Sequence, residues 1–122
     1  MTISVVRLGS PRAKDEGPRL GTVRRPPRGV KKQDYAKRDF YDVWLPELAP
    51  SASLIKTAHR DWKTFARRYR QEMRAQTRLL DVLAALSRSA HFSVGCYCED
   101  ERRCHRSILR EILVEHGARI AS

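Results

Sequence analysis

Residues 91–110, His-Phe-Ser-Val-Gly-Cys-Tyr-Cys-Glu-Asp-Glu-Arg-Arg-Cys-His-Arg-Ser-Ile-Leu-Arg, constrain the fold more than any other stretch, because their apolar period changes once along the run. Phe92, Val94 and Cys96 alternate with smaller or polar residues, as on a short strand. Ile108, Leu109, Ile112 and Leu113 then return at helical spacing, so the segment reads strand, loop, helix. All three cysteines of the chain lie inside it. In an open α/β sheet, ligands bind at the carboxyl ends of strands, against the amino ends of the helices that follow. That rule puts Cys98, Glu99, Cys104, His105 and Arg106 where a site would lie.

The rest of the chain offers partners for such a unit. Residues 3–8, with β-branched Val5 and Val6, read as a first strand, and residues 10–18 as a polar loop holding Pro11, Gly17 and Pro18. Residues 20–24 suit a second strand, cut short by Pro26-Pro27, which cannot continue a central ladder. Residues 28–32 form a basic turn, in which Gly29 either lets backbone N–H groups approach an anion or simply leads into the next element. Residues 35–44 are expected to form a short helix, 46–50 a connector, and Ser51 or Ser53 the cap of a helix reaching His59. The longest helical signal covers 61–87, where Trp62, Phe65, Tyr69, Met73, Leu80 and Leu83 recur with Leu79 and Leu86 beside them. Asp61 is its expected N-cap, and a break near Ala75 to Thr77 would divide it. A turn at Gly117 leads to a final short strand at 118–120. Strands alternating with helices imply α/β architecture: one small domain over 1–122, with a mostly parallel sheet of about four short strands covered by helices. A chain of 122 residues buries about two-thirds of its unfolded surface, enough for one core.

Several chemistries compete for the cysteine segment. Cys96, Cys98, Cys104 and His105 are four potential zinc ligands, although Cys-x-Cys followed by Cys-His lacks the distant second pair of common structural sites. Cys96 to Arg102 has the C-x5-R spacing of phosphate-loop cysteine enzymes, but Glu99, Asp100 and Glu101 within it would repel a phosphate. Cys104 at a helix start, with Arg103, His105 and Arg106 beside it, would favour a thiolate. The alternative is structural, with Cys96 in the core, Cys98 and Cys104 facing each other, and the loop acids capping the helix. Adjacent Cys104 and His105 need not touch, so His105 could pair with Cys98 or Glu99. His59, His91 and His116 read as structural or solvated.

The run Cys96 to Leu109, with Glu115-His116-Gly117-Ala118-Arg119-Ile120 after it, resembles the carboxyl-terminal signature of the bacterial family catalogued as domain of unknown function 488, the YeaO-like proteins. Residues 17–31, with Arg19, Arg24, Arg25 and Pro27-Arg28-Gly29, are similar to that family's glycine-arginine segment. Residues 44–54, followed by Trp62 to Phe65 and Arg67-Arg68-Tyr69, are similar to its central helical segment. Where many members carry Asp-Arg-Leu-Trp before Pro-Arg-Gly, this chain reads Arg24-Arg25-Pro26. The resemblance implies a compact α/β fold and a bacterial cytoplasmic setting, and supplies no substrate or cofactor.

Charge is the strongest bulk signal. The chain carries 25 Lys+Arg against 14 Asp+Glu, a net charge of +11. Such a surface attracts polyanions, either nucleic acid held without sequence readout or nothing in particular if the charge serves solubility. The aromatics Tyr35, Phe40, Tyr41 and Trp44 are spaced as a packing cluster and not as a base-stacking platform. No apolar run is long enough to cross a bilayer, no signal peptide is visible, and three clustered cysteines do not make a secreted disulfide framework. The expected compartment is the cytoplasm, with no membrane partner. The candidate site is an anion site with Cys98, Cys104 and His105 as its reactive groups and Arg19, Arg24, Arg28, Glu99 and Arg106 as its binding groups. Its expected ligand is a phosphorylated small molecule or nucleotide. The alternatives are a non-catalytic nucleic-acid-binding surface and a cysteine-based metal or redox site.

Overall fold

The apolar strand around Val94 becomes the middle of the sheet. In a computed structural model that describes residues 1–57, 60–98 and 104–121, β1 (Ile3–Arg7), β2 (Arg19–Gly21), β3 (Val43–Trp44) and β4 (Phe92–Cys96) pair in the order β1-β4-β2-β3, every pair parallel. Val94 faces Val5 on one side and Leu20 on the other. With neighbours on both edges, all five residues of β4 are buried, so the small Ser93 and Gly95 that alternate with Phe92, Val94 and Cys96 are enclosed as well. Gly95 permits the close approach of β1, since an added Cβ would stand 2.6 Å from the Val6 carbonyl oxygen.

Four helices accompany the sheet among the described residues: α1 (Ala52–Ile55), α2 (Trp62–Met73), α3 (Thr77–Leu86) and α4 (His105–Glu115). Asp61 caps α2 by accepting the Thr64 N–H, and Ser51 caps α1 by accepting that of Leu54. The long amphipathic stretch is divided by a 3₁₀ turn at Arg74–Gln76, as its sequence suggested. Phe65, Tyr69 and Met73 from α2, Leu80 and Leu83 from α3, and Ile108, Leu109, Ile112 and Leu113 from α4 close over Ile3, Phe92 and Val94. Each such side chain contributes about 1.5–3 kcal/mol on burial. Leu86 departs from the expected stripe and is exposed, as are Val82 and Val114. Ile120 forms an isolated parallel bridge with Ile3, so the last short strand is present as a single pairing. No helix among the described residues is long and apolar enough to cross a membrane.

Residues 35–44 do not form the expected helix. A 3₁₀ turn at Lys32–Asp34 leads into further turns, Asp39 takes the left-handed conformation at φ 63°, and the chain then enters β3. Long-range partners override the local preference. The Asp39 carbonyl accepts both the Gly9 N–H at 2.8 Å and Arg19 Nη1 at 2.6 Å, and Asp42 accepts the Arg19 N–H at 2.7 Å. The aromatic residues of this stretch do pack: Tyr35 meets Tyr41 edge to face at 5.2 Å between ring centroids. The helix expected to reach His59 ends at Ile55, and His59 lies outside the described residues.

Candidate anion pocket and thiol cluster

Parallel strands bring their carboxyl ends to one side, and the site grows from β2, β4 and the start of α4. Cys96 ends β4, Cys98 follows two residues later, Cys104 is the N-cap of α4 and His105 its first residue. Cys96 and Cys104 are buried and Cys98 is exposed. The His105 ring is buried as well, with Nε2 2.7 Å from the Thr22 carbonyl oxygen and 3.3 Å from its hydroxyl. A carbonyl oxygen only accepts, so Nε2 carries the proton and Nδ1 presents its lone pair. That lone pair lies 3.7 Å from Cys104 Sγ. Thr22 is itself fixed, because its N–H and hydroxyl both donate to the Gly95 carbonyl at 3.0 Å. Burial lowers the His105 pKa to about 4, and the imidazole is neutral at pH 7.

The three thiols share hydrogen bonds and divide unequally. Cys96 is pushed up by the bonds it donates to Cys104 and Cys98 and by burial. Cys104 gains from the Cys96 bond, but its own donation to Cys98, together with burial, raises it to about 11. Cys98, which receives from Cys104 and Cys96 and sits near the Arg106 charge, is held far below an ordinary thiol. The thiol held low is therefore Cys98, two residues past β4, and not Cys104 at the helix start, where sequence position alone put it. The reason is that Cys104 donates to Cys98 and is buried.

Above this cluster opens a cavity of about 470 Å³. Arg24, Arg25, Arg28 and Lys56 stand around it, Val23, Ile55 and Phe65 supply apolar wall, and Cys96, Cys98, Cys104 and His105 lie on its thiol side. No carboxylate lines it among the described residues. Arg24 is braced by the Pro50 and Ala49 carbonyls at 3.2 and 3.1 Å. A second, shallower groove shares Arg25, Arg28 and Tyr97 with the cavity and adds Pro26, Pro27 and Phe40. Phe40 and Tyr97 meet edge to face at 6.3 Å between ring centroids.

Of the residues expected in an anion site, the structure brings Arg24, Arg28, Cys98, Cys104 and His105 to one cavity. Arg19 is placed elsewhere: it is 1% exposed, paired with Glu16 at 2.5 Å, and its remaining N–H groups reach the Ser10, Pro11 and Asp39 carbonyls. A guanidinium satisfied on every side has nothing left for a ligand, which corrects the binding role expected of it. Arg106 lies behind the cavity and not on its wall; it is buried, and Nη2 donates to the Cys98 carbonyl at 2.6 Å. Glu99 lies outside the described residues. Sequence reasoning passed over Lys56 and Thr22 as site residues, and weighed Cys96 only as a core residue, a metal ligand or the first residue of a C-x5-R loop. Lys56 follows a four-residue helix with no motif around it, and Thr22 acts through a backbone carbonyl that no side-chain pattern marks.

A family model, DUF488-N3a, described as the active DUF488-N3 subclade, matches residues 3–117. The chain belongs to the DUF488 family. The matched span of this DUF488 protein contains β1 to β4, α1 to α4 and the whole thiol cluster. Comparison with curated proteins and with solved structures gave no match.

Proposed function

We propose that this DUF488 protein binds a phosphorylated small molecule, most suitably a nucleotide, in the cavity above the thiol cluster. The observation that carries the reading is the gathering of Arg24, Arg25, Arg28 and Lys56 around one cavity without a carboxylate among its described lining residues. Four cations so close repel one another unless an anion joins them. The adjoining groove supports a nucleotide in particular, because Phe40, Tyr97 and Pro27 offer apolar surface for a planar group beside cations that would hold its phosphate. Cys98, as the exposed thiol of the cluster, is the reactive group that meets the ligand, with Cys104 and His105 behind it. The family model's description as an active subclade accords with a site that does chemistry.

Calorimetric titration with adenosine 5′-monophosphate, adenosine and inorganic phosphate tests the reading. The monophosphate should bind, adenosine should bind far more weakly, and phosphate should compete. Arg28→Ala should weaken the monophosphate about ten- to a hundredfold, the loss of a charge-assisted hydrogen bond of about 1.5–3 kcal/mol. Equal binding of adenosine and its monophosphate would overturn the proposal. So would polyanion binding that is indifferent to Arg28→Ala and drops on the order of a hundredfold between about 50 and 200 mM salt. That result would favour nucleic acid held on the exposed Lys63, Arg67, Arg68, Arg74 and Arg78 instead.

A further inference from the structure

We propose that Cys96, Cys98, Cys104 and His105 Nδ1 together bind one divalent cation of the zinc class, a site that stands independently of the anion reading. Zinc takes thiolate and imidazole ligands at about 2.3 and 2.0–2.1 Å, which in a tetrahedron separates sulfur from nitrogen by about 3.5 Å. Cys104 Sγ and His105 Nδ1 already lie 3.7 Å apart. The ligand atoms of Cys96, Cys104 and His105 all fall within 4.8 Å of one another. Cys98 Sγ lies outside this 4.8 Å group; the thiol is exposed two residues beyond β4 and would complete the set from the solvent side. The spacing that looked wrong along the sequence is resolved in space. One pair comes from the end of β4 and the other from the start of α4, so two separate elements deliver two ligands each, as in a zinc knuckle.

Two surrounding features are those a metal site needs. Histidine ligands nearly always donate their other ring N–H to a carbonyl or carboxylate, which fixes the tautomer; here Nε2 donates to the Thr22 carbonyl at 2.7 Å, leaving Nδ1 turned toward the sulfurs. Three thiolates around a divalent ion also leave one net negative charge. Arg106 is the matching positive charge: it is 3% exposed, no carboxylate among the described residues pairs with it, and its Nε has no partner. Among the described residues its Nη2 donates to the Cys98 carbonyl, beside the proposed ligand. Among the described residues no carboxylate meets this buried guanidinium, and the metal-thiolate unit would supply the counter-charge. On binding, the three thiols release their protons to solvent while His105 coordinates in its neutral form.

The test uses the full-length, fully reduced chain titrated with cobalt(II) as a spectroscopic stand-in for zinc. One equivalent should produce thiolate-to-cobalt charge transfer in the near ultraviolet and the visible bands of a tetrahedral site, and zinc should bleach both. Bound zinc should also shield all three thiols from alkylation, read by mass spectrometry on the wild-type chain so that no variant need fold. Cys104→Ser should abolish the charge transfer of the full site, and Cys98→Ser should weaken binding while leaving a reduced band. Absence of charge transfer in the wild type, a band unchanged by Cys104→Ser, or three thiols alkylated equally with and without zinc would each overturn the proposal. Nucleotide binding measured on the same preparation separates the two readings: its loss alone strikes the anion pocket, and loss of the cobalt signal alone strikes the metal site.

Discussion

Arg19 and Arg106 are both buried arginines, 1% and 3% exposed, and they are treated in opposite ways. Arg19 sits in a corner where Glu16 supplies the counter-charge and three carbonyls take the remaining N–H groups. Around it Asp42 accepts the Arg19 N–H and binds Arg12 at 2.8 Å, tying the residue 10–18 loop to β2 and β3. Among the described residues Arg106 has one carbonyl partner, its Nε has none, and its charge acts on the Cys98 thiol. The first arrangement is closed and does nothing further. The second is incomplete among the described residues, and incompleteness of that kind marks a place where something else binds.

The largest effect should come from opening the closed corner. Glu16→Gln leaves the Arg19 charge buried without its partner and should cost about 3–5 kcal/mol of unfolding free energy, measured by urea denaturation at pH 7. Burial by itself would raise the Glu16 pKa, but the bonds from Arg19 and the Ala13 N–H outweigh it and lower the group below its ordinary 4.5. A carboxylate whose native pKa is depressed stabilises fully above the ordinary value and loses that contribution as pH falls through the native one. Wild-type stability should therefore fall steeply with acid below pH 4.5, and the Glu16→Gln curve should be flatter there. A variant as stable as wild type would mean that the corner is not what holds the loop.

Arg106→Met should cost less, because the side chain it removes has an Nε without a partner and no carboxylate partner among the described residues. Losing its bond to the Cys98 carbonyl should cost about 1.5–3 kcal/mol in metal-free protein. With zinc present the cost should rise, since the variant leaves a negative metal site without its counter-charge. If zinc leaves the difference between wild type and variant unchanged, the two arginines differ only in how many carbonyls surround them.

The fold was legible to the degree that local pattern and tertiary context agreed. Phe92, Val94 and Cys96 announced a strand, Asp61 a cap, and the 3.6-residue recurrence from Trp62 to Leu83 two helices with a break between them, and each is present. Residues 35–44 misled because their shape is set by distant groups, Gly9 and Arg19, reaching the Asp39 carbonyl. The site was legible in part for the same reason. A cluster of Cys, His and Arg in one strand-loop-helix unit showed where chemistry would lie, while burial decided which arginine faces the cavity and which thiol stays exposed. Arg19 and Arg28 look alike on paper; only the packing of Glu16 against one of them tells them apart.

The smallest effect should appear on the surface, where Arg70 of α2 binds Glu111 at 2.8 Å and Glu115 at 3.0 Å on α4. By distance these contacts rival the buried corner, so they isolate the role of solvent. The Arg70 side chain is 35% exposed and the glutamates 66% and 57%, which leaves water to stabilise each charge after the pair is broken. Arg70→Ala should thus cost only about 0.2–1 kcal/mol, and most of that should vanish in high salt. The cost of Glu16→Gln should scarcely respond to the same salt, because ions do not screen a pair from which water is already excluded. Parallel salt titrations of the two variants would decide the matter. A salt-insensitive loss at Arg70 would show that packing of its aliphatic stem between α2 and α4, and not charge, makes the contact.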